Sequence, residues 1–150
     1  MKIWDQNLKG NNSAIDNFLS GEDIVLDQEL FIFDIEASIA HALELKEIKV
    51  LNATECKKII TSLNKLAKLF KAKKYKLTAK YEDCHSAIED FLIKELGSIG
   101  KKIHTGRSRN DQVMVAMRLY AQAKLHEVQE ANTKIAKVFL DKALKHSVDP

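Results

Sequence analysis

Apolar residues recur at intervals of three and four along most of the chain, a spacing that predicts amphipathic helices. The first predicted helix runs from an N-cap at Asp27 to about Leu45, and the third begins near Cys84 and stops at Gly97. The apolar face of the first helix is formed by Leu30, Phe31, Ile35, Ile39, Ala42 and Leu43. We therefore expect helices that bury one face against each other.

Two further helices follow from local signals. Asn52 followed by Glu55 has the residue types of a capping box and predicts the start of the second helix. From Gln112 to about Leu144 the helical period continues without Gly or Pro, which predicts a helix roughly 50 Å long. A helix of that length is typical of a bundle or an oligomer interface. The expected fold class is all-α.

Composition agrees with a globular helical protein. The 150 residues include one Pro and five Gly, with 45% hydrophobic and 30% charged residues. We find no pattern of a signal peptide and no run long enough for a transmembrane helix, so a cytoplasmic protein is expected. The two cysteines, Cys56 and Cys84, lie in apolar helical patterns without metal-ligand spacing, which predicts buried free thiols and no metal.

Residues 55–80 contain nine Lys and one acid. Such a cluster fits nucleic acid or an anionic surface, but it lacks Arg and has few aromatic residues for stacking. A solvated helix face followed by a charged loop is the favoured interpretation, and no nucleic-acid partner is expected.

The most polar segment is His104-Thr105-Gly106-Arg107-Ser108-Arg109-Asn110-Asp111-Gln112, directly before the long helix. Its guanidinium groups match carboxylate geometry, and the helix N-terminus adds free N–H groups and a partial positive charge. The segment therefore predicts a site for a small molecule that carries carboxylates.

This segment also resembles the first signature block of the argininosuccinate lyase family, in the fumarase/aspartase superfamily. Residues 34–42 resemble the family's early helix, residues 82–89 its Glu-Asp-x-His segment, and residues 1–4 its usual opening. Because family members are far longer, the chain resembles the N-terminal part of one.

The resemblance implies an activity and an architecture. The activity is the reversible cleavage of argininosuccinate to arginine and fumarate by acid–base β-elimination, a step of arginine biosynthesis that needs no metal or organic cofactor. Residues 1–104 would form a small helical domain, and residues 105–150 would begin the central helix bundle of a homotetramer. The family's later blocks supply the base, so the chain alone is expected to be inactive.

The resemblance also implies site residues. Ser108, Arg109 and Asn110 match the family positions that contact substrate, while Thr105 and Arg107 flank them and are expected to support binding. Charge and fork geometry suit Arg109 to a substrate carboxylate.

Two further candidates lie outside that block. His85 matches the family's Glu-Asp-x-His position, as an orienting or proton-relay residue that Glu82 and Asp83 are suited to orient. Asp23 stands where much of the family has a substrate-contacting Ser, and we expect it to meet the guanidinium end of the substrate if it binds. His41 is expected to be structural.

Two other interpretations remain open. Fumarase, aspartase and adenylosuccinate lyase belong to the same superfamily, although the arginines of residues 104–112 favour argininosuccinate. The chain also fits a non-catalytic helical protein, either a structural relative or a Lys-rich binding module. The intact polar segment argues against a purely structural role.

Overall fold

The computed structural model describes residues 23–78 and 80–148. Every regular element within those residues is helical, which confirms the all-α prediction. The elements are α1 (Asp23–Glu47), α2 (Ala53–Lys71), α3 (Cys84–Leu96), α4 (Ser98–Lys101), a 3₁₀ helix (Lys102–His104) and α5 (Arg109–Lys145). None of these helices is both long and apolar enough to span a membrane.

The chain divides into two compact units, Met1–Met117 and Arg118–Pro150. In the first unit, α1, α2 and α3 pack together around an apolar core, as their periodic patterns predict. The core includes Phe31, Ile35, Ala42, Leu45, Ile59, Leu63, Leu66, Ala87, Ile88 and Leu92. Leu43, which was also predicted for the buried face of α1, is 46% exposed. Its position on the helix rotates it away from the stripe formed by its neighbours.

Two predicted helix boundaries are confirmed. The Asn52 side chain accepts from the Glu55 N–H at 2.9 Å, and the Glu55 carboxylate accepts from the Asn52 N–H at 3.0 Å, so α2 begins with a capping box. Gly97 caps the end of α3 with a φ of 59°, in the left-handed region that suits glycine.

The predicted N-cap at Asp27 is wrong, because α1 already begins at Asp23. The earlier turn packs the partly buried Ile24 against the core, and this packing extends the helix toward the N-terminus. The Asp27 carboxylate instead accepts the backbone N–H of Cys84 at 2.8 Å. It therefore satisfies a donor at the start of α3 rather than one in its own helix.

The turn from α3 into α4 brings two backbones together at Gly100, which is buried. A Cβ atom at this position would overlap the carbonyl of Leu92 and lie 2.8 Å from the backbone nitrogen of Ile93. This close approach allows the 3₁₀ helix to bury Ile103 in the core. The polar loop that follows therefore begins close to Ile103, whose side chain is held in the core.

In the second unit, α5 continues to Lys145, and many of its apolar side chains are exposed. The exposed fraction lies between 53% and 69% for Leu125, Val128, Ile135, Val138, Phe139, Leu140 and Leu144. The predicted long helix is therefore present, and the described residues leave these seven side chains exposed.

Candidate functional site

His85 is the second residue of α3, and its side chain is only 2% exposed. Its Nδ1 atom lies 2.6 Å from Oδ2 of Asp34, a fully buried residue in the middle of α1. The expected orienting residues were Glu82 and Asp83, but the hydrogen-bond partner is Asp34. This contact fixes the ring orientation.

The surroundings of His85 raise its pKa. Burial alone lowers the pKa of the imidazole, but the hydrogen bond and negative charge of Asp34 outweigh this effect. The charges of Asp83 and Asp27 act in the same direction. The environment therefore favours an imidazolium that donates from Nδ1 to Asp34.

Arg109, the first residue of α5, forms an ion pair with α3. Its Nη1 donates to Oδ2 of Asp83 and, at 2.9 Å, to the hydroxyl of Ser86. Burial lowers the pKa of Arg109, but the hydrogen bond to Asp83 and the nearby carboxylates raise it overall, so the guanidinium stays charged. Among the described residues, the hydrogen bonds of Arg109 all come from Nη1.

Asp83 also acts as the N-cap of α3. Its Oδ1 accepts from the backbone N–H and from the hydroxyl of Ser86, both at 2.7 Å. Although burial raises the pKa of Asp83, these bonds and the Arg109 ion pair lower it overall, so the group is a carboxylate. Arg109 and His85 are thus held close to the same first turn of α3.

The loop between the 3₁₀ helix and α5 is attached to α1 at two points. Nη2 of Arg107 donates to the hydroxyl of Ser38 at 3.2 Å, and Nε2 of His41 lies 3.0 Å from the carbonyl oxygen of Thr105. Burial and the charge of Arg107 lower the pKa of His41, so a neutral ring donates to Thr105. His41 and Arg107 therefore both attach the loop to α1.

The start of α5 is a second capping box. Ser108 donates its backbone N–H at 2.7 Å and its hydroxyl at 2.9 Å to Oδ2 of Asp111, and the Asp111 N–H lies 3.4 Å from the Ser108 hydroxyl. The hydroxyl predicted to contact substrate thus also caps the helix. Asn110 and Thr105 are exposed beside it.

A cleft of about 530 Å³ lies between α1 and the loop. Its lining includes His41, Thr105, Arg107 and Gln112, but neither His85 nor Arg109. Gln112 is 2% exposed, and its Oε1 has no hydrogen-bond partner within the described part of the chain. The predicted site residues therefore fall into two groups, those that line this cleft and those that contact the start of α3.

The sequence did not identify three residues of this arrangement. Asp34, Ser86 and Asp27 have no local pattern that links them to His85 or Arg109, because their partners lie on other helices. Asp34 did fall within the segment 34–42 that resembles the family's early helix. Asp23 begins α1, and its side chain lies outside the described part of the chain.

The arrangement combines a charged guanidinium, a buried acid–imidazole pair and a capped helix start. Arg109 retains donors suited to an anion, and His85 is a group that can hold or transfer a proton at Nε2. Such a set can bind a carboxylate and assist proton transfer.

Comparisons with known proteins identify the family of the chain. A family model described as "Lyase" matches residues 8–148. The chain is 45% identical over 141 residues to an argininosuccinate lyase from Stenotrophomonas maltophilia (strain R551-3) and 46% identical to one from Xanthomonas campestris pv. campestris (strain B100). Each alignment covers 94% of this chain but 33% of the relative, so the chain spans about a third of the length of these curated relatives. The chain belongs to the lyase family that this model describes.

Proposed function

We propose that this chain is the N-terminal part of an argininosuccinate lyase, which reversibly cleaves argininosuccinate to arginine and fumarate. The observation that carries the proposal is the position of Arg109 at the start of α5, held by Asp83 and Ser86 next to the Asp34–His85 pair. The identity with proteins named argininosuccinate lyase supports the choice of substrate.

The reaction needs three tasks. A base removes a proton from the carbon next to a carboxylate, preset donors stabilise the negative charge that spreads onto that carboxylate, and an acid protonates the leaving guanidino nitrogen. Arg109 performs the second task with the donors that Asp83 does not occupy. His85 acts as an orienting or proton-relay group through Nε2, since Asp34 occupies Nδ1.

The remaining loop residues have binding or supporting roles in this proposal. Asn110 offers a donor and an acceptor on the exposed first turn of α5, and Ser108 adds a hydroxyl. Thr105 and Arg107 hold the loop against α1. Asp23 is assigned to the guanidinium end of the substrate, because its charge is opposite.

The proposal extends to assembly. Residues 1–104 form a helical domain, and residues 105–150 begin the central bundle of a cytoplasmic homotetramer whose other segments supply the base and the acid. The exposed apolar residues of α5 support this assembly, because a helix with such a surface is stable when it is packed in a bundle.

A chimaera tests the proposed function. In it, this chain replaces the matching third of the Stenotrophomonas maltophilia relative, and fumarate release from argininosuccinate is followed by ultraviolet absorbance. The chimaera is expected to turn over, whereas the isolated chain is expected to show none above the blank. A chimaera that folds and assembles like the relative but is inactive would contradict the proposal. Turnover of fumarase, aspartase or adenylosuccinate lyase substrates instead would favour those enzymes.

Arg109→Lys in the chimaera tests the site. Lysine keeps the charge but loses the fork, so kcat/KM is expected to fall by about 100-fold. Arg118→Lys, an exposed substitution on the same helix, serves as the matched control and should leave kcat/KM unchanged. Equal activity of the two variants would show that Arg109 is not part of the site.

A further inference from the structure

Arg107 and Arg109 lie close together in the sequence, but their guanidinium groups have different surroundings. Arg109 is paired with Asp83 at the start of α3. Among the described residues, none places a carboxylate within ion-pair distance of Arg107, whose one hydrogen bond goes from Nη2 to the Ser38 hydroxyl. Burial lowers the pKa of Arg107 more than the nearby carboxylates raise it. The partly buried cation of Arg107 therefore lacks a counter-ion within the described part of the chain.

Two buried polar atoms of residues that line the cleft have no hydrogen-bond partner in the described ranges. They are Nε of Arg107, which is a donor, and Oε1 of Gln112, which is an acceptor. Both side chains line the cleft of about 530 Å³ between α1 and the loop. A buried polar group without a partner costs folding free energy. A bound molecule that offers both an acceptor and a donor would relieve this cost at both atoms.

The other residues of the cleft limit the chemistry of that molecule. Glu44 and Asp111 add carboxylates, which favour a cationic donor over a second anion. The ring of His41 adds no charge, because burial and the charge of Arg107 lower its pKa. The apolar part of the lining consists of Ala37, Ala40, Leu45, Ile48 and Val115. A positive group, negative groups and an apolar wall in one cleft suit a zwitterion with an aliphatic side chain.

We propose that this cleft is a binding site for a free α-amino acid with an aliphatic side chain. The carboxylate of the amino acid accepts from the N–H donors of Arg107 that Ser38 leaves free, including Nε. Its ammonium group donates to Oε1 of Gln112. Its side chain packs against Ile48 and Val115, which are otherwise 62% and 45% exposed.

L-Leucine is the probe for the site. The cleft includes neither His85 nor Arg109, so binding to the purified chain is tested independently of the lyase activity of the chimaera. The chain is titrated with leucine, and two-dimensional NMR follows its amide signals. 4-Methylpentanoate lacks the ammonium group and 3-methylbutylamine lacks the carboxylate, so each should bind at least about tenfold more weakly than leucine. Equal affinity for leucine and either analogue, or no saturable binding of leucine, overturns the proposal.

Arg107→Gln removes the charge of the site but keeps an amide donor for Ser38. The variant should weaken leucine binding by at least about tenfold, because a charge-assisted hydrogen bond to the carboxylate is lost. Arg109→Gln is the matched control, since Arg109 is paired with Asp83, and it should change the affinity by less than about twofold. Similar losses in both variants overturn the proposal.

If Arg107→Gln does not fold, the position of the bound leucine on the unmodified chain decides. Leucine should shift the side-chain amide signal of Gln112 and the backbone amide signals of Gly106 and Val115, which line the cleft. Shifts confined to the start of α3 around Ser86 overturn the site. Binding of an acidic peptide without binding of leucine also overturns it, because the cleft would then receive a protein segment.

Discussion

Oδ2 of Asp34 and Nδ1 of His85 are joined at 2.6 Å across 51 positions of sequence, and both side chains are almost completely buried. A buried charge without a partner costs folding free energy, so each residue lowers the cost of burying the other. The pair fixes α1 against the first turn of α3. The same turn carries Asp83, the partner of Arg109.

Asp34→Asn removes the charged partner of His85. The variant is expected to lose about 3 kcal/mol of unfolding free energy, because an imidazolium is left without its counter-charge in the interior. Urea unfolding followed by circular dichroism measures the change. Glu36→Gln, the same chemical change at an exposed position of α1, should stay within about 0.5 kcal/mol of the parent chain. Similar losses in both variants would contradict a special role for the pair.

Ser108→Ala tests the capping box at the start of α5. Loss of the hydroxyl that bonds to Asp111 is expected to cost about 1 kcal/mol of unfolding free energy. Ser147→Ala is the control, because Ser147 lies beyond the end of α5, where its hydroxyl donates to the Leu144 carbonyl. A Ser108→Ala variant as stable as the parent would show that the cap contributes little.

Gly100→Ala introduces a methyl group where the backbone of α3 leaves no room. The collision with the Leu92 carbonyl is expected to lower the unfolding free energy by about 1–3 kcal/mol, since backbone atoms on both sides must shift. Ser98→Ala, at an exposed position of α4, provides the control. Thermal unfolding of the two variants side by side is the measurement, and an unchanged Gly100→Ala would contradict the close packing.

His41 gives the first unit a pH dependence. Burial, reinforced by the charge of Arg107, lowers the pKa of His41 below its ordinary value of 6.5. Stability from the neutral ring is therefore fully present above pH 6.5 and is lost as pH falls through the lowered pKa. His41→Asn should reduce this acid-dependent loss in urea unfolding, whereas His126→Asn in α5 should leave it unchanged. A titration of His41 above 6.5, followed by NMR, would contradict the sign.

The exposed apolar residues of α5 predict self-association of the chain. Burial of Val128, Phe139 and their neighbours against a second copy removes apolar surface from water. Light scattering should show species larger than a monomer, and Phe139→Glu should shift them toward the monomer. Glu130→Gln on the same helix is the control. A monodisperse monomer of the parent chain would contradict this prediction.

Local signals were sufficient for much of the fold. Asn52 and Glu55 are three residues apart and satisfy each other, so a short window of sequence contains the whole capping box. Gly97 is likewise predictable from its residue type, because glycine adopts the positive φ that ends the helix. Such elements are predictable because the interacting groups are neighbours in sequence.

The contacts that position the site residues join groups that are far apart in the sequence. Asp27 has the residue type of an N-cap, yet its carboxylate serves a backbone N–H 57 positions away. Asp34 follows the pattern of a helix interior, and its sequence neighbours do not indicate its partner. These roles depend on how α1 packs against α3, which a single sequence does not specify residue by residue.

Asp83 uses its two oxygens for different helices. One oxygen binds the first turn of α3 through Ser86, and the other binds Arg109 at the start of α5. Because the starts of α3 and α5 both bind the same carboxylate, the thermal motions of these two helix starts should be correlated. The backbone amide of Ser86 reports on this coupling, since its exchange with deuterium should quicken when Arg109 is shortened to alanine.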